Sequence, residues 1–118
     1  MANLKRNTIT IVLEVENGAI IRKKTYLTPV FIPLSTIYEA LDLMDEIKKR
    51  NVLKTERELI DALITFITHK VYGNQFTKED LIAGLHSPNA MSELFNQLLF
   101  IARGEQSEET KKYLETMI

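Results

Sequence analysis

Residues 8–27 read Thr8-Ile9-Thr10-Ile11-Val12-Leu13-Glu14-Val15-Glu16-Asn17-Gly18-Ala19-Ile20-Ile21-Arg22-Lys23-Lys24-Thr25-Tyr26-Leu27. The first half is rich in β-branched residues, and Ile9, Ile11, Leu13 and Val15 fall at every second position. Side chains at that period share one face of a strand, so a half-buried strand is predicted. Asn17-Gly18 follows, and both residue types tolerate the positive φ that a type I′ turn demands. Ala19 to Leu27 returns as a second strand, apolar at Ile20, Ile21, Tyr26 and Leu27 and charged at Arg22, Lys23 and Lys24. The two apolar patterns do not fix one register, which leaves a bulge near the turn open. A lone hairpin is marginal in water, so this one must pack on helices or pair with a strand of another chain.

Beyond the hairpin the period changes. Pro29 and Pro33 bracket Val30-Phe31-Ile32 and bar it from a central strand. From Leu34 a helical stripe runs through Ile37, Leu41, Met44 and Ile47 with Ala40 beside it, ending near Arg50-Asn51. Thr36 with Glu39 can form a capping box, or Pro33 can start the helix a turn earlier. Thr55-Glu56-Arg57-Glu58 is a second capping box, opening a helix of Leu59, Ile60, Leu63, Ile64, Phe66, Ile67 and Val71 that stops at Gly73. Thr77-Lys78-Glu79-Asp80 starts a short helix, and Ser87-Pro88 caps the next, which carries Met91, Leu94, Phe95, Leu98, Leu99 and Ala102 and stops at Gly104. Ser107 caps a last segment. The expected class is mainly α within α+β: a hairpin over about 8–27, helices over about 34–104 and a C-terminal helix over about 107–118, in one domain.

The 118 residues include no cysteine, so disulfides and thiolate metal sites are excluded. Fifteen basic residues against sixteen acidic ones leave none of the surplus that phosphate neutralisation requires of a nucleic-acid binder. Arg22-Lys23-Lys24, the basic run, lies on a strand whose neighbours point to opposite faces, and it reads as a solvated edge. Lys5 and Arg6 precede no signal-peptide core, and no apolar run approaches the ~18 residues of a membrane span. A soluble protein is expected.

The parts of an enzyme are missing. His69 and His86 lie in different segments without ligands at zinc spacing, so no metal and no cofactor are expected. Gly18, Gly73, Gly84 and Gly104 are isolated and read as turns or caps instead of a phosphate loop. Asp42, Asp45 and Glu46 sit opposite the apolar stripe beside Lys48 and Lys49, as on a solvated helix face. No catalytic residue is assigned.

One stretch is more specific: Val71-Tyr72-Gly73-Asn74-Gln75-Phe76-Thr77-Lys78-Glu79-Asp80-Leu81-Ile82-Ala83-Gly84-Leu85. It resembles the Tyr-Gly-x-x-Phe-Thr-x-x-x-Leu-x-x-Gly-Leu signature of tail assembly chaperones from siphophages of Gram-positive bacteria. The order of a β-rich start, a Pro-bounded Phe-Ile-Pro-Leu and a helical remainder is also similar, over Thr8 to Arg103. In this signature Tyr72, Gly73, Phe76, Thr77, Leu81, Gly84 and Leu85 are expected to be structural, with both rings buried between helices and Thr77 capping the short helix.

The resemblance implies a non-virion factor of the bacterial host cytoplasm that binds the tape-measure protein, keeps it soluble and helps tail-tube subunits polymerise around it. It also implies a longer frameshifted form that recruits the tail-tube protein, with this chain as the short form. Exposed apolar contacts are expected at Ile9, Ile11 and Leu13 on the hairpin edge and at Tyr113, Leu114 and Met117. The alternative for the hairpin residues is packing on the helices. Self-association into a homo-oligomer through the hairpin edge is a further expectation. The rival readings are a structural head–tail or tail completion protein that stays in the virion, and a small nucleic-acid-binding regulator.

Overall fold

The computed structural model describes residues 4–49 and 55–116. Strand β1 (Thr8–Glu16) pairs antiparallel with β2 (Ala19–Leu27). Asn17 (φ 53°) and Gly18 (φ 78°) make the turn, both left-handed as the sequence requires. At the base, Thr8 lies opposite Leu27, Ile9 opposite Tyr26 and Ile11 opposite Lys24. Near the tip the register shifts on either side of Glu14, so that Leu13 on one strand and Ile21 on the other stand outside the pairing. The bulges break the predicted alternation. Ile9 and Ile11 turn into the core, whereas Leu13 and Val15 are exposed.

Helix α1 (Ser35–Lys49) begins with short i→i+3 bonds, from Thr36 N to the Pro33 carbonyl and from Ile37 N to the Leu34 carbonyl. Thr36 is therefore inside the helix and buried, not its cap, and Glu39 reaches Lys70 at 3.6 Å. The buried stripe is Thr36, Ala40 and Leu43, with Ile37, Met44 and Ile47 partly buried beside it. Leu41, assigned to the stripe from sequence, faces out. The physical reason is that apolar residues cover more than half of this helix, so periodicity alone does not say which arc is inside. The predicted end at Arg50-Asn51 lies outside the described residues.

Helix α2 (Glu56–Phe66) is capped by Thr55, whose hydroxyl accepts from Glu58 N at 3.2 Å. It does not run straight to Gly73. Ile67–Val71 widens into a π-helical turn, closed by Tyr72 N donating to the Ile67 carbonyl at 3.0 Å. Gly73 (φ 60°) and Asn74 (φ 63°) then reverse the chain. Helix α3 (Lys78–Gly84) opens with a full capping box: Asp80 N to Thr77 Oγ1 and Thr77 N to Asp80 Oδ2, each 3.0 Å. In α4 (Ser87–Arg103) His86 holds the cap position and Ser87 is already helical; Gly104 (φ 71°) stops the helix. Helix α5 (Glu108–Glu115) is capped by Ser107, whose Oγ accepts from Thr110 N at 3.1 Å.

Ile9 and Ile11 of β1 share one buried cluster with Ala40 and Leu43 of α1, Leu63 of α2, Ile67, Val71 and Tyr72 at the π-turn, and Leu94, Leu98 and Ile101 of α4. One close approach fixes the hairpin on this core. A Cβ on Gly84 would stand 2.3 Å from Ile11 Cγ2 and 2.8 Å from the Val12 carbonyl oxygen. Its backbone is helical, so the requirement is for space, not for a left-handed turn. The isolated glycine read as a turn or cap is the point where α3 lies against β1.

Candidate partner-binding site

The base of the hairpin is held by a buried polar network centred on Gln97 of α4. Gln97 Oε1 accepts from the Tyr72 hydroxyl at 2.5 Å and from Asn7 Nδ2 at 3.1 Å, while Gln97 Nε2 donates to the Thr8 carbonyl at 2.8 Å. Asn7 and Thr28 exchange further bonds, Asn7 N to Thr28 Oγ1 and Thr28 N to the Asn7 carbonyl, each 3.0 Å. The hydroxyls of Thr8 and Thr110 lie 3.1 Å apart, tying α5 to β1. Lys5 Nζ donates to the Gly104 carbonyl and Gln106 Nε2 to the Arg6 carbonyl. Such bonds matter because a buried polar group without a partner costs about 1–3 kcal/mol.

Glu93, one turn before Gln97, lies at the edge of this network. Burial raises its carboxyl above the ordinary value of 4.5; a bond from Gln97 works against that shift, and the charge of Glu109 adds to it. Burial also pushes the Tyr72 phenol well up, with the Glu93 charge contributing, so Tyr72 stays a neutral donor. Tyr72 is fully buried and its ring centroid lies 5.4 Å from that of Phe76, which in turn meets Tyr26 edge-on at 5.0 Å. Leu81 is buried and Leu85 is packed against the core.

The surfaces available to a partner lie elsewhere. Ile9 and Ile11, expected as contacts, are 1% and 0% exposed, so the packing alternative applies to them: the hairpin base needs their area to seal the core. Leu13 is exposed, as is Tyr113; Leu114 is half-buried, and Met117 lies outside the described residues. Leu13 and Tyr113 are not brought together with one apolar neighbourhood that sequence did not single out. Leu4, Val30, Phe31 and Leu34 are 54%, 62%, 68% and 70% exposed. They line a groove of about 640 Å³ together with the more buried Ile37, Phe100 and Ile101 and the charged Lys5 and Arg103. Pro29 and Pro33 hold this segment away from regular pairing, which leaves its apolar side chains on the surface. The available signal was the unusual density of large apolar residues between two prolines.

Among the described residues, no group of three His, Asp or Glu side chains could hold a metal ion. His69 Nδ1 is bonded to Asn74 Oδ1, at the end of the π-turn. No helix among them is long and apolar enough to cross a membrane. A family model described as a phage tail chaperone protein matches residues 6–117. No curated protein and no solved structure matches the chain.

Proposed function

The chain belongs to the phage tail chaperone family, and from that premise we propose that it is a tail assembly chaperone that binds the tape-measure protein in the host cytoplasm. In this reading it keeps that protein soluble, assists tail-tube polymerisation and is absent from the mature virion. It acts by binding, without catalysis. The observation that carries the reading is the apolar groove lined by Leu4, Val30, Phe31 and Leu34. A groove of this kind accepts the apolar ridge of an amphipathic helix, the surface a tape-measure chain exposes before the tube encloses it. Leu13, Tyr113 and Leu114 supply secondary contacts, and repeated weak contacts along one long partner sum by avidity. A longer frameshifted form would add the means of recruiting tail-tube protein.

Co-expression with the phage's own tape-measure protein tests this. The tape-measure protein is expected to become soluble and to co-purify with the chain. Phe31→Ser with Leu34→Ser should abolish that rescue while leaving far-UV circular dichroism unchanged, because both side chains are exposed. A tape-measure protein that stays insoluble with both the short and the longer form would overturn the assignment. Recovery of the chain from mature particles by mass spectrometry would instead favour a structural virion role.

A further inference from the structure

The apolar surface of the groove continues onto α1. Thr36 N and Ile37 N bond back to the Pro33 and Leu34 carbonyls, so the first helical turn already includes Leu34. Tyr38 and Leu41 stand four and seven residues further on, the spacing of one helix face. They are 66% and 47% exposed, whereas Thr36, Ala40 and Leu43 form the buried arc of the same helix. Leu34, Tyr38 and Leu41 thus make one open apolar ridge, about 10 Å long at about 1.5 Å per residue. The charges beside it are uneven. Among the described residues lining the groove, Lys5 and Arg103 are charged and none is acidic. Lys5 already donates to the Gly104 carbonyl, at the C-terminal end of α4. Arg103 is exposed, and its guanidinium has no hydrogen-bond or ion-pair partner among the described residues. Its fork of donors is therefore free to take a carboxylate. Past Leu41 the sign changes, with Asp42 and Asp45 exposed ahead of Lys48 and Lys49.

We propose that this surface selects an acidic amphipathic helix, whose apolar ridge lies along Phe31, Leu34, Tyr38 and Leu41 and whose carboxylates, at the groove end, bond to Arg103. The inference rests on the groove being the partner site, and adds to that reading the charge of the partner and two contact residues on α1. A helix fits better than an extended segment, because Val30–Pro33 is no strand and offers no ladder to pair with. The carboxylates belong at the Arg103 end, since Asp42 and Asp45 would repel them past Leu41. An exposed ion pair alone contributes little in water. Here the apolar ridge supplies the affinity, and the docked helix shields the Arg103 pair from solvent, so the charge decides which helix is taken.

The test is fluorescence anisotropy of the purified chain with two labelled synthetic peptides. Both carry the same amphipathic helical ridge, one ending in a pair of glutamates and the other in a pair of glutamines. The glutamate peptide should bind about fivefold more tightly, and the ratio should shrink as salt is raised. Arg103→Gln should bring the ratio to about one without weakening the glutamine peptide. Tyr38→Ser with Leu41→Ser should weaken both peptides about tenfold and leave the ratio unchanged. All three positions are exposed, and far-UV circular dichroism verifies folding of each variant. Absence of binding, equal binding of the two peptides, an unchanged ratio in Arg103→Gln or full affinity in the Tyr38 and Leu41 variant overturns the proposal. The peptides contain no tape-measure sequence, which separates this test from the co-expression experiment. A ratio that holds while the tape-measure protein stays insoluble supports the groove's preference and removes the tail-chaperone reading. A ratio of one alongside a rescued tape-measure protein overturns the preference and leaves that reading in place.

Discussion

The two halves of one hairpin obey different physics. At the base, Ile9 and Ile11 are wholly buried, Thr8 is bonded to both α4 and α5, and Gly84 of α3 lies hard against the strand. Past Val12 the same two strands carry comparable apolar residues and bury none of them. Composition does not distinguish the halves. What distinguishes them is contact: a helix terminus at glycine and a buried glutamine at the base, two register bulges and open water at the arm. An apolar side chain in a strand reports that something covers it, and only the surroundings say whether that cover is the chain's own core or another molecule.

The sharpest way to break this contrast is at Gly84. Gly84→Val places branched carbon against Ile11 and the Val12 backbone, and a loss of about 3 kcal/mol or more is expected in urea denaturation. A near-neutral result would mean that the base is no more tightly held than the arm. Next is Gln97→Leu, which leaves the Tyr72 hydroxyl, Asn7 Nδ2 and the Thr8 carbonyl without their shared partner and should cost about 2–3 kcal/mol. Tyr72→Phe alone should cost about 1 kcal/mol, and much less when Gln97 is already leucine; additivity of the two would show that the network is not a unit.

A smaller, pH-dependent effect sharpens the comparison at the edge of the base. Because burial raises the Glu93 carboxyl above 4.5, the folded chain holds that proton more tightly than the unfolded chain does. Its contribution is therefore most favourable when the group is protonated, and it declines as pH rises from the unfolded value through the raised folded one. Glu93→Gln should flatten stability across that window and leave the protein at least as stable as wild type at neutral pH, as thermal melts at several pH values would reveal. The smallest effect belongs to the arm. Leu13→Ser and Ile20→Ser should each change stability by no more than about 0.5 kcal/mol, since neither side chain loses a buried contact. A loss comparable to that at the base would mean that the arm is packed on something within the chain.

Much of the fold was legible because local chemistry dictated it. Asn17-Gly18 forced the turn, Thr55, Thr77 and Ser107 announced three helix starts, and Gly104 announced a stop. What sequence did not single out, or read otherwise, shares a cause. Gln97 resembles a surface residue by type, yet it lies on the same side of α4 as Leu94, Leu98 and Ile101, and position outweighs polarity when every bond is satisfied. The π-turn at Ile67–Val71 leaves no mark in a pattern that is apolar on most of its circumference. Gly84 looked like any isolated glycine, because the strand that excludes a side chain there is more than 70 residues away in sequence. The partner surface was legible only in part: Leu13 and Tyr113 were visible as apolar residues, but the exposure of Val30, Phe31 and Leu34 depends on how Pro29 and Pro33 aim the segment.

The bonds that close the hairpin base join Asn7 and Thr8 to Gln97 and Thr110. During synthesis, β1 must wait for α4 and α5, which follow it by about 90 residues, before its polar groups find their partners. Until then the nascent chain cannot lock the hairpin onto its body, because loop closure over that separation must precede any reward from the contacts. Completion of the fold thus waits for synthesis of α4 and α5, and a ribosome stalled before α4 would hold a chain whose hairpin has its turn but no seat.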